Sequence, residues 1–270
     1  MQAHSLWTPP SGTLGAIVAE AELRAEVIAR RGEYPNASRA PARSLECALR
    51  GDAVALLTEV KRQSPSKGAI APGLDAVVQA NAYAAGGAAA LSILTEPRHF
   101  GGSIADLRDV VRQVPLPVLK KDFHVRPAQL LEAHAEGASA ALLIVRAVAP
   151  DRLAELMSCG RSIGLELLIE VRDEAELELA LSLGATMIGV NNRNLETLII
   201  DPATAERLIP RIPAGVIAIA ESGISSLADV ERYAAVGADA VLVGSSLSAA
   251  ADPVAATRVL AGVPRVTRAS

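Results

Sequence analysis

The sequence predicts an α/β fold: a single-domain (β/α)8 TIM barrel with an extra N-terminal helical segment, residues 1-50 forming the extension and 51-270 the barrel. Three observations predict it. From Val54 onward, eight short apolar runs alternate with amphipathic stretches. The pairs Gly87-Ala88, Gly137-Ala138, Gly184-Ala185 and Gly237-Ala238 recur at even intervals, each leading from a helix into every second strand. Half of the residues are hydrophobic but only 2% are aromatic, so packing must rest on Ala, Leu, Val and Ile, as in helix-covered parallel sheets. An open doubly wound sheet is the structural alternative. It usually has fewer strands, and no GxGxxG fingerprint follows the first strand.

Composition bounds the function. A chain of 270 residues has ample material for a core. A net charge of −4 leaves no basic footprint for nucleic acid. Two cysteines, Cys47 and Cys159, give no disulfide framework and make a reducing, cytoplasmic setting the default. Met1 to Pro10 lacks the charged and apolar regions of a signal peptide, and no apolar run approaches the ~18 residues of a membrane span.

In chain order, Thr13 to Arg31 places Leu14, Ile17, Val18, Leu23, Val27 and Ile28 at helical spacing and reads as an accessory helix. Gly32 to Pro41 reads as a Pro/Asn/Ser linker, and Ser44 to Arg50 as a short helix capped by Ser44. Strands follow at Val54–Val60, Ala89–Leu94, Pro117–Lys121, Ser139–Val145, Leu165–Val171, Thr186–Asn191, Val216–Glu221 and Asp239–Gly244. The helices between them are Leu74–Ala85, Ser103–Gln113, Pro127–Glu136, Pro150–Ser162, Asp173–Ser182, Pro202–Ile209 and Ser225–Ala235, and Pro253–Leu260 closes the chain. Several open on Asp or Ser before an apolar run, or on Pro, as helix N-termini do.

In such a barrel the active site lies at the C-terminal ends of the strands. Charged and polar residues collect there. The first strand ends in Glu59 and Lys61, two residues apart and therefore on one face. The third ends in Lys120-Lys121-Asp122-Phe123, the fifth in Glu170, the sixth in Asn191-Asn192-Arg193-Asn194, the seventh in Glu221-Ser222-Gly223 and the eighth in Gly244-Ser245-Ser246. Glu170 continues the row of Leu168, and Glu221 that of Ile217 and Ile219, so both carboxylates should stand at the barrel mouth. The glycine-containing turns at Ser222-Gly223 and Gly244-Ser245 fall after the two strands that commonly supply a phosphate site. Ser64-Pro65-Ser66-Lys67-Gly68 is a polar loop after the first strand, able to serve as a mobile lid.

These motifs occur in one order. Glu59-Val60-Lys61, Ser64-Pro65-Ser66-Lys67-Gly68, Leu94-Thr95, Gly102-Ser103, Lys121-Asp122-Phe123, Leu142-Leu143-Ile144, Glu170-Val171, Asn191-x-Arg193-x-Leu195 and Glu221-Ser222-Gly223-Ile224 together resemble the indole-3-glycerol-phosphate synthase family, over about Leu14 to Val259. The resemblance implies a lyase of tryptophan biosynthesis. Its phosphosugar-anthranilate substrate would be 1-(2-carboxyphenylamino)-1-deoxyribulose 5-phosphate, and the indole ring would close with loss of CO2 and water. It implies no metal and no organic cofactor, and leaves association with other tryptophan-pathway enzymes open.

The resemblance also implies roles. Lys121 would protonate the ketose oxygen and Glu170 would serve dehydration. Glu59 would assist the proton network. Lys61 would meet the phosphate or carboxylate and stand as a second acid. Asn191 and Arg193 would hold the anthranilate end, Phe123 would pack beside its ring, and Glu221 and Ser222 would line the site. Gly223, Gly244 and Ser245 would bind phosphate, with Ser64 near the substrate carboxylate. Leu45, Leu74-Asp75-Ala76, His124 and Arg146 depart from the family's usual residues without replacing any of these groups.

The other polar residues read as structural. His99, His124 and His134 have no ligand spacing and no accompanying carboxylate cluster. Cys47 and Cys159 read as buried thiols, Trp7 as a packing residue, Glu166 as half of a structural ion pair, and Lys120 as reaching outward between helices. Two rivals remain. A phosphosugar isomerase barrel of the phosphoribosylanthranilate type would want a Cys near the end of the first strand, and none is there. A non-catalytic scaffold barrel would be expected to lose part of the charged rim.

Overall fold

The computed structural model describes residues 7–32 and 43–268, so the expected linker beyond Gly32 lies outside the described residues. Eight parallel strands close into a barrel: β1 (Ala55–Val60), β2 (Ala90–Leu94), β3 (Val118–Lys121), β4 (Ala140–Ile144), β5 (Glu166–Val171), β6 (Met187–Asn191), β7 (Ile217–Glu221) and β8 (Ala240–Val243). β1 pairs with both β2 and β8, and Leu57 lies opposite Ala90 on one side and Leu242 on the other. The strands are buried on both faces, which is why their sequences are almost continuously apolar. The expected strands hold to within a residue at each end.

Each of the four Gly-Ala pairs ends a helix as expected. Gly87, Gly137, Gly184 and Gly237 have φ of 100°, 84°, 77° and 89°, the left-handed region where a Cβ is disfavoured. The helices are α1 (Gly12–Arg31), α2 (Leu45–Ala48), α3 (Ala76–Ala85), α4 (Pro97–Phe100), α5 (Ile104–Gln113), α6 (Pro127–Ala135), α7 (Pro150–Ser162), α8 (Glu174–Ser182), α9 (Ala203–Leu208), α10 (Leu227–Ala235), α11 (Ser245–Ser248) and α12 (Pro253–Leu260). α3 begins two residues later than expected because Asp75 caps it, accepting from the Val77 and Val78 amides. The expected helix Pro202–Ile209 becomes α9 and a 3-10 turn at Ile209–Arg211, where Pro210 has no amide to continue an α-helix. α4 was not expected. It exists because Glu96 accepts from the amides of Arg98, His99 and Phe100, just ahead of Pro97. α1 buries Leu14, Ile17, Ala21 and Ala25 and packs against α6.

Several structural expectations need correction. Cys47 is exposed and Cys159 half-buried, so neither is a buried thiol. Trp7 is 37% exposed rather than packed. Among the described residues Glu166 makes no ion pair: it accepts from the Ser44 hydroxyl and the Leu45 and Glu46 amides, and so fastens the start of α2 to the bottom of β5. His99 does have carboxylates around it, Glu20 and Glu96, because α1 brings Glu20 to it across 79 residues of chain. Both oxygens of Glu96 are already taken by the α4 amides. Lys120 is as expected, its ammonium 2.6 Å from Glu132 on α6.

Candidate active site

The C-terminal ends of the strands surround a cavity of about 320 Å³. All of the residues singled out for a site line it: Glu59, Lys61, Ser64, Lys121, Phe123, Glu170, Asn191, Arg193, Glu221, Ser222, Gly223, Gly244 and Ser245. Strand geometry brings them together. Glu59, Lys121, Glu170 and Glu221 stand at or next to the ends of their strands, where the apolar row gives way to the mouth, and Lys61 follows just past the end of β1.

Lys121 sits at the centre. Its Nζ is 3.4 Å from Glu170 Oε2 and 3.6 Å from Glu221 Oε2. Burial disfavours the ammonium, yet Glu221, Glu170 and Glu59 together hold its pKa well above that of an ordinary lysine. Glu59 forms a second pair, 2.5 Å from Lys61 Nζ, and its other oxygen accepts from Ser92 at 3.2 Å. Burial works against its ionisation, but Lys61 and Lys121 keep its pKa low. Asn191 donates to Glu170 Oε1 at 2.8 Å and accepts from the Arg193 amide at 2.9 Å, so it orients the carboxylate as well as facing the cavity.

Glu221 behaves differently. It is 1% exposed, and Oε1 meets no hydrogen-bond partner among the described residues. Burial pushes its pKa up to about 8; Lys121 opposes this, and Glu170 and Glu59 add to it. With a proton on Glu221, two ammoniums face two carboxylates and the buried cluster carries no net charge. Sequence reasoning gave Glu221 only a lining place, because the three carboxylates converge only when the barrel closes.

Glycines make room for these side chains. A Cβ on Gly189 would lie 2.0 Å from Glu221 Oε1, and one on Gly244 would lie 2.7 Å from Glu59 Oε1. Ser222 and Gly223 both have positive φ, 68° and 80°, so the chain turns sharply where β7 leaves the barrel.

Other groups around the cavity were not singled out. Thr13, Leu14 and Ile17 of α1 roof it, and the helical spacing of Leu14 and Ile17 was the available signal. Phe100 packs 6.0 Å from Phe123 between ring centroids, and Lys61 Nζ stands 6.0 Å from the Phe100 centroid. Asp122, next to Lys121, accepts two bonds from Arg24 of α1, at 2.9 and 3.1 Å, and one from Thr95 at 2.6 Å. Burial opposes its charge, but Arg24 holds its pKa far below the usual carboxylate range. His124 is buried, and burial with Lys120 keeps it neutral down to about pH 3.

The loop after β1 is a small hairpin, Gln63–Ser64 against Gly68–Ala69, with Pro65, Ser66 and Lys67 facing the cavity. Arg62 anchors its base. The guanidinium binds Asp106 at 2.7 and 2.9 Å and donates to the carbonyls of Leu74 and Gly101. No helix among the described residues is long and apolar enough to cross a membrane.

A family model described as indole-3-glycerol phosphate synthase matches residues 15–260. A relative of that description from Streptomyces coelicolor is 53% identical over 213 residues, covering 79% of each chain. Another, from Mycolicibacterium gilvum, is 45% identical over 241 residues and covers 89% of each. Among solved structures, 3-hexulose-6-phosphate synthase from Salmonella typhimurium superposes with a TM-score of 0.59 at 18% identity, over 77% of this chain and 96% of that one, which is a likeness of fold.

Proposed function

The chain belongs to the indole-3-glycerol phosphate synthase family and is a lyase of tryptophan biosynthesis; from that premise we propose how its residues divide the work of decarboxylative ring closure. The substrate in this reading is 1-(2-carboxyphenylamino)-1-deoxyribulose 5-phosphate. The aromatic carbon that bears the carboxylate attacks the ketose carbonyl carbon. Lys121 delivers a proton to the carbonyl oxygen as the bond forms. An alkoxide is more basic than an ammonium, so even a lysine of raised pKa transfers its proton downhill. Loss of CO2 restores the aromatic ring. The new hydroxyl then leaves as water, and removal of a ring proton completes the indole. Glu170 serves that dehydration, and Glu59 and Lys61 assist it, with Lys61 as the second acid.

Binding follows the charge of the ligand. Arg193 and Asn191 hold the anthranilate end and Phe123 packs beside its ring. Gly223, Gly244 and Ser245 take the phosphate at the β7 and β8 ends, and Ser222 and Glu221 line the floor. Ser64 and Lys61 approach from the lid hairpin side. With its two free thiols, the protein is placed by this reading in a reducing cytoplasm.

One observation carries the assignment: Lys121 Nζ stands 3.4 Å from Glu170 and 3.6 Å from Glu221 in a cavity of substrate size. The test is formation of the fluorescent indole product from the carboxyphenylamino substrate by the parent protein and by Lys121→Ala. Turnover by the parent and its loss in the folded variant are expected. Near-normal product formation by Lys121→Ala would refute the acid assignment.

A further inference from the structure

The overall reaction consumes a proton. The substrate enters with an ionised aryl carboxylate and that charge leaves as neutral CO2, so one proton must be taken up for each indole made. In the roles above, Lys121 ends the cycle neutral, because the proton removed in dehydration matches the one given to the leaving hydroxyl. Solvent must therefore reprotonate Lys121, whose side chain is 15% exposed at the cavity.

A second cavity, of about 100 Å³, opens behind Glu170. It shares Leu14, Ile144, Glu170, Asn191, Arg193 and Leu195 with the main cavity, so the two adjoin at a wall that includes Glu170. Its outer end is formed by Arg172, Asp173 and Glu176, where β5 passes into α8. The Arg146–Glu196 pair, 3.0 Å apart, closes one side. A water needs about 10–15 Å³ of such space, so several fit in a file. The cavity wall also offers a polar group for them: Arg172 Nε is buried and meets no hydrogen-bond partner among the described residues.

We infer that Glu176 is a proton-relay residue, passing a proton from solvent through water in this side cavity to Glu170 and so to Lys121. The inference rests on the reading of the site given above. Each transfer breaks one O–H or N–H bond and forms another. Glu176 gives a proton to water, water gives one to Glu170, and Glu170 gives one to the neutral Lys121 amine 3.4 Å away. Glu176 is then reprotonated from solvent, to which its half-buried side chain has access.

The charge around Glu176 suits the task. Its pKa is raised to about 7: burial, with Asp173 and Glu170, pushes it up, against the bond from the Arg172 amide and the charge of Arg146. It also has a structural duty. Glu176 accepts from the Arg172 amide at 2.7 Å, while Asp173 accepts from the Glu176 amide at 2.9 Å, a reciprocal cap at the start of α8. Glutamine can keep that cap but cannot carry the proton, which makes Glu176→Gln the discriminating variant.

The experiment follows product by fluorescence and proton uptake by a pH-indicator dye in lightly buffered solution. In the parent, uptake keeps pace with product. In Glu176→Gln, with enzyme in excess over substrate, the single-turnover rate is expected to stay within twofold of the parent, because Lys121 starts protonated. Proton uptake and steady-state kcat should each fall at least tenfold, and added imidazole buffer should restore them. Under single turnover, uptake in step with product in the variant would overturn the relay. So would an equal fall in single-turnover and steady-state rates, which would mark Glu176 as structural. If the parent itself makes no indole product, the reading of the site fails instead.

Discussion

Gly189 has no functional atoms, yet it should be among the most sensitive positions in the barrel. It lies on β6, beside Glu221 of β7. An added Cβ would fall 2.0 Å from Glu221 Oε1, 3.0 Å from Cδ and 3.3 Å from Leu168 Cδ1. Ordinary contact begins near 3.4 Å, so in Gly189→Ala the carboxylate must retreat by about 1.4 Å. Glu221 is 1% exposed and its other oxygen already faces Lys121 at 3.6 Å, so the retreat presses on that ammonium and into the cavity both groups line. A misplacement of about 1 Å beside Lys121 costs on the order of 100-fold in rate, while overpacking of this kind costs about 1–3 kcal/mol of stability. We expect Gly189→Ala to lower kcat on the order of 100-fold with KM changed far less, and to leave a cooperative urea transition. A double-mutant cycle separates this from general damage to the strand. In a Glu221→Ala background the obstruction has gone, so adding Gly189→Ala should cost little more. Additive losses, or a kcat within about threefold of the parent in the single variant, would refute the argument.

Asp122 gives a prediction about the roof. Arg24→Ala leaves a buried carboxylate without its main partner, a loss of about 3 kcal/mol. The pH dependence has a definite sign. Asp122 has a depressed folded pKa, so its contribution is present above the ordinary carboxylate value and is lost as pH falls below it; Asp122→Asn should narrow the difference between neutral and acid melting temperatures. Glu221 has the opposite sign. Its folded pKa is about 8 against an ordinary 4.5, so it costs nothing at low pH and progressively destabilises the fold as pH rises through that window. Glu221→Gln should therefore gain stability relative to the parent as pH is raised from about 4.5 to 8, and a difference that stays flat in chemical unfolding would contradict the raised pKa. Gly244→Ala should disturb Glu59, whose Oε1 would lie 2.7 Å from the new Cβ, and lower kcat without abolishing binding of the product.

Much of this molecule is legible in sequence because its period is regular. Doubly buried strands read as unbroken apolar runs, and the residue that ends each run is the one that reaches the mouth. That is why Glu59, Lys121, Glu170 and Glu221 were found from pattern alone. What pattern could not reach was any relation fixed by closure. The role of Glu166 depends on α2 returning to the foot of β5 across 120 residues. The partner of Asp122 is supplied by α1, 98 positions away, and the expected reading of α1 as an accessory helix gave no hint that it braces the residue beside Lys121.

The glycines make the same point about chemistry. In sequence, Gly189 is a weak residue inside a strand and Gly244 is a turn residue. In the closed barrel each is the space in which a carboxylate stands. Their effect is electrostatic as well as steric. Three buried glutamates around one lysine would repel one another if all were ionised, and a tight fit at Gly189 holds Glu221 away from solvent, where it keeps a proton to about pH 8. A larger residue at position 189 would therefore do more than displace an atom: by opening the Glu221 pocket it should lower that pKa, add a negative charge beside Lys121, and make the ammonium a weaker acid toward the carbonyl it must protonate.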